Sequence, residues 1–435
     1  MKNYFKLFKN NKFILVSSSI ASFLGVGYYV YKNEDPLYSY SLTNDIIFED
    51  RLKKANRLIH QYKELYGVPA VIVQVTKNDQ VIYSKAIGYS DVENNLKASQ
   101  DTIMRIASIS KPIACLIACK LYENGKLDLD KSINDYLKDI PKFTFNDKEV
   151  IITPRQLMAH TGGIRHYKDN NNNNNNSETS DANLQEFYLN KNFSTTKDAL
   201  ELFLKDDLKY EPGTQHLYTT FGYTLLSAVL EKVSSDTPFP KLLEDFFKKV
   251  GLNETFLDKN EPIIPNRSKY YMRDSKGKLV NVPYVDNSYK WAGGGLLSNV
   301  NDLTKFGNLM LKFYQTEDSL NKFIKQSTIM SQMWTTQSKP NKNVNDNLLS
   351  EPNEITTYGL GWCLVMDEKK NLKYVYHTGG AVGASSCLMI VPETSDTFKS
   401  PKGTVVAVLC NSQNVSEIAK FTWRIARIFS DNNQI

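Results

Sequence analysis

Paired cysteines, metal-ligand spacings and extended runs of one charge are what this chain of 435 residues lacks. Its five cysteines (Cys115, Cys119, Cys363, Cys387 and Cys410) are an odd number set in apolar segments. They form no Cys-x-x-Cys pair and no cysteine–histidine spacing suited to zinc. Neither a disulfide framework nor a structural metal is called for, and the thiols read as small buried hydrophobes. No cofactor is expected. Acidic residues are missing before Glu34, and arginine before Arg51. Lys2, Lys6, Lys9, Lys12 and Lys32 therefore carry most of the net charge of +6. The remainder is nearly neutral, so nucleic acid is not an expected partner.

Charge is also missing from Phe13 to Tyr31, a run of 19 residues between two of those lysines. It is long enough to cross a bilayer and longer than a usual signal-peptide core, and no small-x-small cleavage site follows. Three readings compete: a membrane anchor, a secretory signal, and a mitochondrial presequence with a sorting segment. The lack of arginine counts against an ordinary transit peptide. The expectation is an uncleaved or late-cleaved anchor within residues 1–35, attaching the protein to a membrane.

The rest has ordinary globular composition, 41% hydrophobic and 23% charged. Residues 36–44 read as a polar linker. Glu49 to Tyr66 has helical apolar spacing, and Ala70 to Gly88 reads as an antiparallel hairpin turning at Lys77-Asn-Asp-Gln. Strands return at Leu360–Met366, Lys373–His377, Ser385–Val391 and Thr404–Cys410. A last helix is expected over Val415–Ser430, with Asn414 as its N-cap. The fold expected is α/β of the α+β kind: one antiparallel sheet flanked by the terminal helices, with a mostly helical subdomain inserted. The sheet part would take residues 49–125 and 355–435, the helical part 126–354. An asparagine-rich stretch, 168–182, reads as a disordered loop.

Ser108 and Lys111, in Ser-Ile-Ser-Lys-Pro, open a long apolar helix. Positions i and i+3 share a helix face, so the Lys111 amine can reach the Ser108 hydroxyl. A desolvated lysine is a base near neutral pH, and a helix N-terminus offers N–H groups to an oxyanion. The same spacing recurs at Ser194–Lys197, Ser275–Lys278 and Ser319–Lys322, in polar stretches that open no such helix. Tyr218, in a loop before the apolar helix Tyr223–Val233, is a candidate proton shuttle. His377-Thr378-Gly379-Gly380 ends a strand, where glycines let backbone N–H groups approach a substrate.

Ser-x-x-Lys at 108–111, Tyr-x-Thr at 218–220 and His-Thr-Gly at 377–379 resemble, in that order, the motifs of class C serine β-lactamases, penicillin-binding proteins and related esterases. Thr153-Pro-Arg-Gln-Leu-Met-Ala-His-Thr-Gly-Gly and Phe221-Gly-Tyr agree as well. The resemblance spans about Leu58 to Phe429 and is narrowest with mitochondrial members of the family. His160, in the first His-Thr-Gly-Gly, reads as a loop element. The resemblance implies a serine hydrolase forming an acyl-enzyme through Ser108, with Lys111 as base and Tyr218 as relay. The N–H groups of Ser108 and Gly380 would form the oxyanion hole, with Thr220, His377, Thr378 and Gly379 lining the cleft.

Two departures bear on substrate. Thr220 stands where β-lactamases have asparagine, and His377 where they have lysine, which weakens the anchoring of a β-lactam carboxylate. No glutamate is evidently placed to activate a deacylating water. The implied activity is peptidase-like, on a peptide or small amide or ester. The implied location is the mitochondrial intermembrane space, with a secretory-pathway membrane as the alternative. Small-molecule ester or β-lactam hydrolysis, and a filament or other homo-oligomer acting as a scaffold, are the alternatives to a peptidase.

Overall fold

Asn78 and Asp79 both adopt left-handed backbone, with φ of 51° and 68°. That is the two-residue turn whose twist matches paired antiparallel strands. It joins β1 (Ala70–Lys77) to β2 (Gln80–Asp91), which pair from Lys77 opposite Gln80 to Ala70 opposite Gly88 with a one-residue bulge between Val75 and Thr76. The structure, a computed structural model, describes residues 36–168, 185–339, 354–393 and 401–430. The chain divides into two units, residues 1–54 and 55–435. Phe13–Tyr31 and the asparagine run lie outside the described residues. Among those residues, no helix is long and apolar enough to cross a membrane.

The hairpin belongs to an eight-stranded antiparallel sheet. Its other strands are β3 (Leu96–Lys97), β4 (Ile355–Tyr358), β5 (Cys363–Met366), β6 (Leu372–Ala381), β7 (Ala384–Pro392) and β8 (Gly403–Cys410), in the order β4-β5-β6-β7-β8-β1-β2-β3. The first and last thirds of the sequence meet where β1 pairs β8, Val71 opposite Cys410.

Both faces of the central strands are covered, so β1 and β8 are nearly continuous apolar runs. On one face lie residues 55–66 of α1 (Pro36–Tyr66) and the last helix, Ile418–Phe429. Tyr62 stacks on Phe421 with ring centroids 4.0 Å apart. The opposite face packs the helix Val300–Gln315, where Gln74 donates to Thr304 Oγ1 at 2.9 Å. It also packs the turn that carries Ser108: Ser386 Oγ in β7 donates to the Ile106 carbonyl at 2.8 Å.

Two expectations change. Residues 36–44 begin α1 instead of forming a linker. The last helix starts at Ile418, and Asn414 does not cap it. Asn414 and Glu417 both have left-handed φ, 56° and 55°, which interrupts helical backbone before Ile418. The Val415 N–H goes to Ser385 Oγ instead.

Candidate active site

A single strained residue shapes the turn that carries Ser108. Ala107 has φ of 49°, a conformation unfavourable for a residue with a Cβ. It opens a 3₁₀ turn, Ala107–Ile109, that feeds directly into α2 (Ser110–Glu123). Ser110 Oγ donates to the Ala107 carbonyl at 2.7 Å and locks the turn. Ser108 is left half-buried at its apex, while Ile106, Ile109 and Ile113 are buried around it.

Lys111 Nζ lies 2.9 Å from Ser108 Oγ and 2.6 Å from the Gly293 carbonyl. The lysine is fully buried. Desolvation first, and then the nearby charge of Lys290, hold its pKa well below the ordinary lysine value; Cys115 acts weakly the other way. An uncharged amine can give one N–H to Gly293 and keep its lone pair for the hydroxyl proton of Ser108. The three other Ser-x-x-Lys copies have no such setting: Lys197, for example, is paired with Asp139 at the surface.

Tyr218, half-buried, lies over this amine, with Lys111 Nζ 4.7 Å from its ring centroid. Its loop enters α3 (Phe221–Val233), and two histidines hold it. His160 Nδ1 accepts the N–H of Thr219 at 3.1 Å, and His166 Nδ1 accepts that of Thr220 at 3.3 Å. The His160 ring packs 4.3 Å from the Tyr218 ring, centroid to centroid. Burial keeps all of these rings uncharged: His160 far below its ordinary pKa, and His166 at about 3. Thr220 is buried, and its side chain does not cap α3.

β6 forms the other wall. Any Cβ on Gly379 would collide with Ser386 Oγ and the Ile106 carbonyl, so glycine here lets the strand touch the nucleophile turn. Gly380 next to it is exposed, and a Cβ there would meet nothing within 4 Å. Thr378 is half-buried, and its carbonyl takes the Nδ1–H of His377 at 2.6 Å. That fixes the tautomer, and His377 Nε2 then accepts the Tyr358 hydroxyl at 3.0 Å. Burial, reinforced by the neighbouring Lys111, lowers the His377 pKa to about 3. His377 is thus an uncharged, internally bonded part of the wall and not a cation offered to a substrate.

The structure therefore gathers Ser108, Lys111, Tyr218, Thr220 and the 377–380 strand around one opening. It adds His166, Tyr358, Lys290 and Gly293, which the sequence did not single out, and His160, which it read only as a loop element. Four of the chain's five histidines (His160, His166, His216 and His377) take part in one cluster with Tyr218 and Tyr358. The repeated His-Thr-Gly-Gly was the one sequence signal pointing to it. The wall is braced from behind by buried Arg105, whose Nε donates to Asp258 at 2.7 Å. Its Nη1 donates to the Val382 carbonyl at 2.6 Å, just past Gly380.

A sheet of this order, with a serine–lysine pair at the start of a buried helix, defines a serine hydrolase of the β-lactamase class. The β-lactamase family profile matches residues 55–428, and the chain belongs to that family. Within it, the chain is 35% identical over 435 aligned residues to the mitochondrial serine β-lactamase-like protein LACTB of Homo sapiens, covering 85% of this chain and 78% of that protein. The Mus musculus counterpart is 34% identical over the same shares. Among solved structures, an octameric penicillin-binding protein homologue from Pyrococcus abyssi superposes with a TM-score of 0.67 at 24% identity, over 85% of this chain and 75% of the other. A class C β-lactamase does so with 0.63 at 14%, over 88% and 97%.

Proposed function

We propose that the protein is a serine acyl hydrolase acting on peptides or small amides. Ser108 attacks the carbonyl, and Lys111 takes its proton. The carbonyl oxygen turns toward the N–H groups of Ser108 and Gly380. Tyr218 passes the proton from Lys111 to the leaving nitrogen as the C–N bond breaks, and leaves an ester on Ser108. Water, activated by the Lys111–Tyr218 pair, then releases the acid. Thr220, Thr378 and Gly379 line the cleft, and His377 sets the strand's position. The observation that carries this reading is the fully buried Lys111 amine 2.9 Å from a half-exposed serine hydroxyl.

The site favours amides over β-lactams because His377 is neutral and bonded internally, so this position gives no fixed positive charge to a β-lactam carboxylate. The names of the mitochondrial relatives support a mitochondrial location. The lysine-flanked segment 13–31 supports attachment to a membrane there. The octameric relative supports self-association.

A fluorophosphonate probe tests the reading. Purified protein should be labelled at Ser108, with no labelling in Ser108→Ala. Labelling in Lys111→Ala should fall by about 100-fold or more, the usual worth of a positioned general base. Alanine suits the helix but leaves a space where the buried side chain was, so this variant should stay folded with a melting midpoint lowered by several degrees, and labelling is compared on folded protein. Labelling that survives Ser108→Ala would overturn the assignment.

A further inference from the structure

His160 carries two costs at one position. Its backbone φ is 59°, in the left-handed region that only a few per cent of residues with a Cβ adopt. Its Nδ1 accepts the Thr219 N–H, so the proton is on Nε2, which is buried with no partner among the described residues. An orphaned buried donor is destabilising, because its hydration is lost and nothing replaces it. Left-handed backbone adds to that cost. Neither is needed to fill space, since the position is surrounded by the rings of His216, Tyr218, Tyr223 and Tyr358 at 4.3–5.6 Å. The left-handed backbone closes the end of the helix Pro154–Met158, where the Thr161 N–H reaches the Gln156 carbonyl at 2.8 Å; the orphaned Nε2 follows from delivering Nδ1 to the Thr219 N–H.

His166 does the same for the next residue. It is half-buried, meets Tyr218 edge-on at 5.8 Å, and accepts the N–H of Thr220. The His160 carbonyl also takes the Leu217 N–H at 2.8 Å. The N–H groups of residues 217, 219 and 220 are therefore all held by two histidines, leaving the segment around Tyr218 no freedom to turn its ring. Arg165, between them in sequence, is neutralised by Glu186 and Asp206 and does not compete for these rings.

We propose that His160 and His166 are positioning residues of the reaction: by accepting the N–H groups of Thr219 and Thr220 they hold the Tyr218 ring against the Lys111 amine. The inference rests on the reading of Tyr218 as the relay to the leaving group. It requires each ring to act as an uncharged acceptor, and burial keeps both in that form. Asparagine is the informative replacement. Its amide oxygen can occupy the place of Nδ1, and it tolerates the left-handed backbone of position 160. Leucine fills similar volume and accepts nothing.

Acetate esters that differ only in leaving group read this role. Phenyl acetate needs a proton delivered to its departing oxygen far more than p-nitrophenyl acetate does. In His160→Leu and His166→Leu, the phenyl acetate rate should fall roughly tenfold or more beyond any fall for p-nitrophenyl acetate, as a misplaced general acid would give. Tyr218→Phe should show the same imbalance. His160→Asn and His166→Asn should keep the unmodified ratio. A purely structural role would slow both esters alike and make asparagine no better than leucine; either result overturns the inference. Should the leucine variants fail to fold, the asparagine variants decide: an unchanged ratio supports the proposal, and a Tyr218→Phe-like ratio overturns it. Fluorophosphonate labelling of the unmodified protein separates the two levels. Labelled Ser108 with equal losses sinks only the positioning role, whereas an unlabelled Ser108 sinks the acyl-enzyme reading and this inference with it.

Discussion

The tetrapeptide His-Thr-Gly-Gly occurs at 160–163 and again at 377–380, and the two copies fold differently. The first leaves the short helix Pro154–Met158 with left-handed backbone at His160 and Gly163, φ 59° and 73°. The second is extended in β6, with His377 opposite Leu388 and Gly380 opposite Ser385. Identical residues take the backbone their partners supply: helix-end carbonyls for one, the edge of β7 for the other. Even the imidazoles differ, since His160 accepts through Nδ1 while His377 donates through it. Both rings nonetheless finish beside Tyr218, 4.3 Å and 6.4 Å away between centroids. The copies teach that a motif specifies tools, while packing specifies their use.

What the copies share is a buried, uncharged ring, and acid should break both at once. His166, His216 and His377 have pKa values of about 3, 4 and 3, each lowered first by burial, and His160 is lowered as well. In the unfolded chain they titrate near the ordinary 6.5. Between those values the unfolded state binds more protons, so stability is intact above about pH 6.5 and is lost as pH falls toward 3–4. Each ring contributes up to about 1.4 kcal/mol per pH unit, so the three together contribute up to about 4. Paired carboxylates such as Asp130 and Asp206 are also lowered, but their window opens only below about 4. Urea midpoints at pH 7.5, 6.0 and 5.0 should therefore fall steeply below 6.5. His377→Gln should lessen the slope. A flat profile would mean the rings are not held neutral.

The next largest effect separates the copies. Gly379→Ala drives a methyl into Ser386 Oγ and the Ile106 carbonyl, on the very turn that carries Ser108. Overpacking of this kind costs about 3 kcal/mol, and the turn must move to relieve it. Loss of fluorophosphonate labelling is expected together with a lowered melting midpoint. Gly163→Ala meets the Tyr210 carbonyl at positive φ and should also destabilise. That clash is on the loop between His160 and His166 and not on the turn that carries Ser108, so labelling of its folded fraction should fall less than in Gly379→Ala. Equal labelling losses in both variants would erase the distinction.

This contrast also marks what the sequence could reveal. Period-two apolar runs and the Asn78-Asp79 turn place the hairpin, because strand and turn signals are local. Ser108–Lys111 was legible for the same reason: one helix face supplies both groups. Lys290, Gly293 and Tyr358 were not, since each reaches the site through contacts formed only on folding, such as the Gly293 carbonyl to Lys111 across 182 positions. The orientation of His377 was invisible too. Its substitution for lysine suggested a weak anchor, but only the Tyr358 and Thr378 contacts show a ring turned inward. Asn414 misled because a capping residue followed by glutamate is a local signal that two left-handed residues override.

The smallest effect on stability falls on the residue adjacent to the most sensitive one. A Cβ on Gly380 would meet no atom within 4 Å, and its backbone is extended within β6. Glycine in a strand costs about 0.5–1 kcal/mol relative to alanine through lost chain entropy, so Gly380→Ala should leave the melting midpoint unchanged or slightly raised. Its effect on chemistry should be of the opposite sign. The methyl would occupy the open space in front of Gly380, whose N–H is the proposed oxyanion donor, and would crowd any substrate chain lying along that strand. Labelling by a bulky fluorophosphonate should slow more than acylation by p-nitrophenyl acetate, whose acyl group is only a methyl longer than the carbonyl. A stable Gly380→Ala protein that reacts with both reagents as the unmodified one does would place the substrate elsewhere. A stable protein that discriminates between them by size would mark Gly380 as the floor of the cleft, one residue from the glycine that holds the cleft together.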